Sequence, residues 1–293
     1  MSLRALAHSR VVLLLCVAVT IAVPVVSLRH LPDVHLWPLL LGLLPWIAGK
    51  YLLCPLRWRA LTAARPDGPL SRGWHLRAHA EGELLGLLTP GHVGADVWRV
   101  RRLTHAGLRR PDALMSVATD RFVGAIGLTA FVAFASTALP RTMLLGAAGV
   151  GLAVVTTVVA VRLFRPELLP RRPLPPPRAL LLALVLALGY QLTMAGMLFG
   201  AVAATGHTLS PLALLGAFGA SQVAAAVPGP NGASPRDGAL VIALVALGLP
   251  WVAAAAAVAL KAVVAWLPAL ALGGLSLLLW RRQAGSIATV PAA

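Results

Sequence analysis

Apolar residues in this chain gather into long runs at 11–28, 36–56, 113–139, 142–161, 179–203 and 251–280. Each is close to the ~20 residues that carry a helix across ~30 Å of hydrocarbon. Four shorter segments, 75–88, 95–103, 211–227 and 235–249, fall short of a comfortable crossing and come as two pairs. Pro90-Gly91-His92-Val93-Gly94-Ala95 splits the first pair, and Pro228-Gly229-Pro230-Asn231-Gly232-Ala233 splits the second. A Pro/Gly break leaves N–H and C=O groups that lipid tails cannot satisfy, so it must be buried in protein or line a wet cavity. Paired breaks in corresponding halves point to a transport site.

The pattern predicts an all-α polytopic membrane protein of about six full spans plus two re-entrant half-helix pairs. The first pair starts and ends beside arginines, whereas the second starts and ends beside the uncharged segments 205–210 and 248–251. Three full spans separate them, which predicts an inverted repeat. Gly107-Leu108-Arg109-Arg110-Pro111 after the first pair resembles Gly248-Leu249-Pro250 after the second. The half-repeats cover about 1–170 and 178–282 of a single domain spanning 1–293. Between them, Arg171-Arg172-Pro173-Leu174-Pro175-Pro176-Pro177-Arg178 is a stiff, extended connector. The small-residue stretch 286–293 is a disordered tail. Gly82/Gly86, Gly196/Gly200 and Gly216/Ala220 have the small-xxx-small spacing that lets helices approach closely.

Composition agrees with a bilayer: 59% of the 293 residues are hydrophobic, and the mean hydropathy is +0.84. A net charge of +16 raises nucleic acid as a partner, but the basic residues sort by loop rather than by patch. With the N-terminus in the cytoplasm, Arg4, Arg10, the arginines from Arg57 to Arg110, those from Arg162 to Arg178, and Arg281 and Arg282 all fall inside. Only Arg29 and Arg141 fall in outer loops. That asymmetry follows the positive-inside rule and predicts a multi-pass protein of the cytoplasmic membrane, both termini cytoplasmic, with no nucleic-acid partner. Run 11–28 has no small-residue cleavage site after it and is read as a span. Trp37, Trp58, Trp251, Trp266 and Trp280 lie near span ends as interfacial anchors. Cys16 and Cys54 are small packing residues.

Charge at membrane depth is where chemistry would lie. Of the nine acidic residues, Glu81, Glu83, Asp96, Asp120 and Asp237 fall in spans or re-entrant segments, joined there by Arg121, Arg236 and Lys261. A charge at the bilayer centre costs from about 2.5 kcal/mol upward, so such groups face a cavity or one another. Asp120 and Arg121 point about 100° apart on one helix and cannot pair tightly. Arg121 is expected near Asp96, and Asp120 on Lys261 or Arg236 from the other half, as a cross-half gate. Static interhelix salt bridges are the alternative. Ser234-Pro235-Arg236-Asp237 reads as a helix start with Ser at the N-cap, Pro at N1 and an acid at N3. Its free N–H groups and positive dipole end, with Arg236 beside them, suit a phosphate or carboxylate. Gly94-Ala95-Asp96 opens the corresponding half-helix, with Arg99 one turn later on the face of Asp96, where Asp96 either contributes to a site or only caps its helix. The candidate substrate-binding set is therefore Asp96, Arg99, Asp120, Arg121, Ser234, Arg236, Asp237 and Lys261. The structural breaks are Pro90, Gly91, Gly94, Pro228, Gly229 and Gly232.

His75 and His79 share a helical face, but neither Glu81 nor Glu83 joins them well, so no metal site is expected. Lys50, near a span end, is expected to snorkel. No Gly-x-Ser-x-Gly, P-loop or HExxH occurs, and neither a cofactor nor a catalytic residue is assigned.

Leu88-Thr89-Pro90-Gly91-His92-Val93-Gly94-Ala95-Asp96-Val97-Trp98-Arg99, followed by Ala118-Thr119-Asp120-Arg121-Phe122-Val123-Gly124, resembles the Pro-Gly-x-x-Gly-Gly-Asp-x-x-Arg and Asp/Glu-Arg-x-x-Gly pattern of a flippase-like transmembrane family. That family comprises the membrane domain of lysylphosphatidylglycerol synthases and its stand-alone bacterial relatives. Pro235-Arg236-Asp237-Gly238-Ala239 is similar to the end of the family's second motif, Pro-Gly-Gly-x-Gly-x-Arg-Glu-Gly. Ala95 replaces a glycine and Asp237 a glutamate, while Pro230-Asn231 and Ser234-Pro235 depart further from the pattern. The resemblance implies lipid handling: translocation of a phospholipid or other anionic or zwitterionic headgroup between leaflets. The chain stops soon after its last span, so the aminoacyl transferase domain of the synthases, and with it lysyl transfer, is not expected. A membrane-embedded enzyme acting on a lipid-linked substrate and a proton-coupled transporter remain alternatives, and a homo-oligomer is left open.

Overall fold

The computed structural model of the chain describes residues 33–62, 68–89, 92–135, 175–224, 229 and 234–279, with isolated positions between 14 and 26 and at 156. Apart from those positions, runs 11–28 and 142–161 lie outside the described residues, as do Arg29, Arg141, the tail 286–293, Pro90, Gly91, Pro228 and Gly232.

The described residues form eight helices and no strand. Four are long: α1 (Leu36–Leu61), α4 (Arg110–Ala135), α5 (Pro177–Ala204) and α8 (Trp251–Leu279). All four are long and apolar enough to cross a membrane. The shorter α2 (Arg72–Leu87) and α3 (Val93–His105) fall between α1 and α4, and α6 (Pro211–Val223) and α7 (Pro235–Ala246) between α5 and α8. The order long, short, short, long therefore occurs twice. Local chemistry sets the ends. Ser71 and Ser210 accept hydrogen bonds from Trp74 N and Ala213 N at the starts of α2 and α6, and Pro177 and Pro211 sit where a missing N–H costs nothing.

The two halves also close their second short helix alike. Gly107 and Gly248 both take left-handed φ, 90° and 97°. Leu108 N donates to Leu103 O at 3.1 Å and Gly107 N to Thr104 O at 3.0 Å; Leu249 N donates to Leu244 O at 3.2 Å and Gly248 N to Val245 O at 2.9 Å. Both are Schellman closures, which glycine permits without a Cβ penalty.

Helix α5 packs against α1, α4, α6 and α8, while α2 leans on α8 and α6 leans on α4, so each broken pair touches a long helix of the other half. The α1–α5 crossing is tight: a Cβ on Gly42 would lie 2.8 Å from Gly196 O and 3.1 Å from Gly200 Cα. Small residues let these backbones meet, as the Gly196/Gly200 spacing predicts. Leu36, Trp37, Leu41, Leu44, Leu181, Leu192 and Leu267 face outward, whereas Glu81, Glu83, Arg99, Asp120, Asp237 and Lys261 are buried. Apolar outside and charged inside reverses a soluble fold, and identifies a membrane protein. Trp37 and Trp251 are exposed as anchors should be, but Trp58 is fully buried. Its Nε1 donates to Ser116 Oγ at 3.1 Å, and it is a core residue.

Candidate functional site

In the first half two carboxylates collect the cations. Asp120 of α4 is fully buried. Arg57 of α1 grips it with both arms of its guanidinium, Nε to Oδ1 at 2.7 Å and Nη2 to Oδ2 at 3.1 Å, the bidentate geometry that makes such pairs strong. Arg99 of α3 adds Nη1 to Oδ2 at 3.1 Å. Glu83 of α2 is met by Lys50 Nζ at 2.7 Å, by His92 Nε2 at 2.8 Å, and more distantly by Arg99 Nη2 at 3.6 Å. Arg99 Nη2 also donates to His79 Nδ1 at 2.6 Å. Arginine can only donate, so the His79 proton sits on Nε2, 3.4 Å from Glu83 Oε1. Glu81, one residue pair away on α2, accepts from Trp98 Nε1 and from Ser276 Oγ of α8 and pairs with Arg102.

Two local features aim these groups. In α1, a wide π-type turn at Gly49–Leu53 follows Pro45 and carries Lys50 and Tyr51. Such turns rotate the residues after them relative to an α-helix and recur at functional sites. At the first break, Gly94 N donates to Thr89 Oγ1 at 2.8 Å, and a Cβ on Gly94 would lie 2.6 Å from Leu85 O. Only glycine lets α3 start this close to α2. His92, just before α3, holds left-handed φ 63°, ψ 18°. That conformation is uncommon for a residue with a Cβ, and here the bond to Glu83 holds it.

The second half is sparser. Ser234 and Asp237 form a reciprocal capping box: Asp237 N donates to Ser234 Oγ at 3.3 Å and Ser234 N to Asp237 Oδ2 at 3.3 Å. Ser234 Oγ also donates to Asp237 Oδ2 at 2.6 Å. Lys261 of α8 reaches Asp237 Oδ1 at 3.3 Å. Arg236 comes no nearer than 4.0 Å to the same oxygen, and its buried Nε has no hydrogen-bond partner. The capping box thus uses the Asp237 N–H at this helix start, and Arg236 is the loosely held cation beside it.

A cavity of about 430 Å³ lies between the halves. Lys50, Arg57, Glu83, His92 and Arg121 face it from the first half, and Gly229, Ser234, Arg236 and Lys261 from the second. Trp46, Leu87, Leu128 and Met194 line its apolar part. The set has polar groups fixed among apolar ones, the usual make-up of a ligand pocket.

Arg121 of α4 bonds Asp96 through Nε at 2.9 Å and Nη2 at 2.9 Å, the partner expected for it. Asp120 does not pair with Lys261 or Arg236. Among the described residues each ion pair joins partners of one half, so the expected cross-half gate is corrected: Asp120 belongs to Arg57 and Arg99, and Lys261 to Asp237. Arg57, Arg99 and Arg102, counted from sequence as loop charges, are buried. Lys50 does not snorkel outward but turns in to Glu83. Of the eight candidate residues, Arg121, Ser234, Arg236 and Lys261 line the cavity, while Asp96, Arg99, Asp120 and Asp237 stand behind as their partners or neighbours. Sequence reasoning missed Lys50, Arg57 and Glu83 as site residues. Their partners are 33 and 63 positions away (Lys50 to Glu83 and Arg57 to Asp120), and no local spacing reveals such pairs.

A family model described as the lysylphosphatidylglycerol synthase TM region matches residues 4–273. No curated protein matches the chain, and no solved structure does.

Proposed function

The chain belongs to the lysylphosphatidylglycerol synthase TM-region family, and from that premise we propose that it is a lipid translocase that carries an anionic headgroup across the cytoplasmic membrane through the cavity between its halves. Both termini are cytoplasmic in this reading, and the α2–α3 and α6–α7 pairs are re-entrant hairpins entering from opposite sides, as halves of an inverted repeat. The single observation that carries the reading is the cavity itself: basic side chains from both halves converge on one space that also has an apolar wall. A headgroup would sit among Lys50, Arg57, Arg121 and Arg236, with acyl chains along Leu87, Leu128 and Met194. Thr89 and His92 at the first break and Gly229 and Ser234 at the second line this cavity, so the described flanks of both breaks meet the proposed path. Carriage needs no chemical step, and none is assigned to Asp96, Asp120 or Asp237.

The test is a headgroup-accessibility assay in liposomes. Purified protein is reconstituted with trace fluorescent phosphatidylglycerol, phosphatidic acid or phosphatidylcholine, and the fraction reached by a membrane-impermeant quencher is followed. Protein-dependent exposure of the inner-leaflet anionic lipids supports the reading. Rates equal to protein-free vesicles for every lipid would overturn it.

A further inference from the structure

Among the described residues, the charges around the cavity do not cancel. Six basic side chains, Lys50, Arg57, Arg99, Arg121, Arg236 and Lys261, meet four carboxylates, Glu83, Asp96, Asp120 and Asp237. The surplus is shared evenly. In the first half Arg57 and Arg99 both draw on Asp120; in the second, Lys261 and Arg236 both draw on Asp237, which Ser234 also engages. Each half thus holds one more positive charge than it has carboxylates in these clusters. On the cavity wall the clusters present Arg57, which holds Asp120 bidentately but shares it with Arg99, and Arg236, 4.0 Å from Asp237. Space is kept for the first: a Cβ on Gly124 would lie 3.1 Å from Arg57 Nη1. The second keeps a buried Nε with no bond.

Uncompensated like charges in a low-dielectric cavity repel each other and are stabilised by whatever neutralises both. A phosphodiester brings one negative charge. A phosphomonoester brings close to two above its second ionisation near pH 6, with three acceptor oxygens. We infer that the ligand of this cavity is a phosphomonoester dianion held between the halves, one charge met by Arg57 and the other by Arg236. This deepens the translocase reading and rests on it for the lipid source of the phosphate. The apolar wall at Leu87, Leu128 and Met194 favours a monoester that ends a lipid chain. A water-soluble phosphomonoester would present the same chemistry.

The experiment measures binding of the detergent-purified full chain at pH 8 to three dioleoyl lipids, phosphatidic acid, phosphatidylglycerol and phosphatidylcholine, and to glycerol 3-phosphate. Phosphatidic acid should bind at least about tenfold more tightly than phosphatidylglycerol, and phosphatidylcholine more weakly than either. Arg236→Gln should erase the monoester preference, leaving the two anionic lipids within about threefold, while Arg236→Lys should keep it. If Arg236→Gln does not fold, the wild-type series with Arg236→Lys decides. Equal or tighter binding of phosphatidylglycerol by the wild type would overturn the monoester inference and leave the translocase reading standing. Binding of glycerol 3-phosphate with no binding of any lipid would retain the phosphate chemistry and sink the lipid source. No binding of any of the four would overturn both.

Discussion

The two broken helix pairs share a shape and differ in charge. In the first, the incoming helix carries Glu81 and Glu83, and both are saturated: Glu83 by Lys50 and His92, Glu81 by Trp98, Ser276 and Arg102. In the second, the incoming helix carries the uncharged Ser221 and Gln222, and Asp237 of the outgoing helix is the carboxylate that Lys261 and Arg236 share. The first pair is therefore a buried polar network whose members fix one another, costly to disturb and slow to rearrange. The second leaves a cation with a 4.0 Å approach to its acid and 30% of its side chain exposed. The bonded first-half network resists rearrangement even where Arg57 faces the cavity, whereas Arg236 is held more loosely. On the proposed reading the first half supplies the framework and one fixed charge, and the second half the looser group that captures the headgroup.

The largest effect that breaks this comparison is Asp120→Asn. It strands Arg57 and Arg99 in a buried site, and the loss of one partner from such a cluster costs about 3–5 kcal/mol. Fluorescence-detected size exclusion after a heat step should show most of the folded protein lost. If Asp120→Asn folds as the wild type does, the first-half network is not the framework.

Gly94→Ala comes next. Its Cβ would meet Leu85 O at 2.6 Å and Thr89 Oγ1 at 2.7 Å, and overpacking of this kind costs about 1–3 kcal/mol. Gly229→Ala, whose nearest contact is Ser234 Cα at 2.9 Å, should cost less. Equal melting shifts would remove the contrast between a rigid and a looser break.

Gln222→Glu sharpens the comparison by giving the second incoming helix a carboxylate on the cavity wall. It should neutralise the one surplus charge of the second half and slow headgroup translocation severalfold, with most of the protein still folded. Faster translocation would argue against an anionic headgroup. Arg121→Gln also has a small expected cost. Its pair with Asp96 is 48% and 32% exposed, and exposed pairs contribute about 0–1 kcal/mol. A loss of folded protein comparable to Asp120→Asn would mean that this pair is part of the framework as well.

Several of these features were legible in the sequence. The breaks, the four described long helices and the Ser234–Asp237 cap rest on local rules of length, Pro/Gly placement and capping, and the helix-bearing parts appear where those rules put them. The helical angle showed that Arg121 and Asp120 need separate partners, and Arg121 does meet Asp96 as expected. Arg57 and Lys50 were not legible. Hydropathy ends the second run at 56, but the helix continues to Leu61, with Arg57 buried in it against Asp120 from α4. Lys50 turns inward because the π-type turn redirects it, and nothing in a hydropathy pattern encodes such a turn. The partner of Asp120 was misjudged for the same reason: charge at depth shows that a partner is needed, and only packing decides which one.

The most direct measurement compares Arg236→Gln with wild type in one set of liposomes, as translocation of phosphatidic acid per folded molecule, with melting temperature read on the same samples. A lone cation held at 4.0 Å contributes at most about 1 kcal/mol to stability, so melting should stay near wild type while translocation falls at least about tenfold. Unchanged translocation by a fully folded Arg236→Gln protein would contradict the assignment of this residue as the group that captures the headgroup.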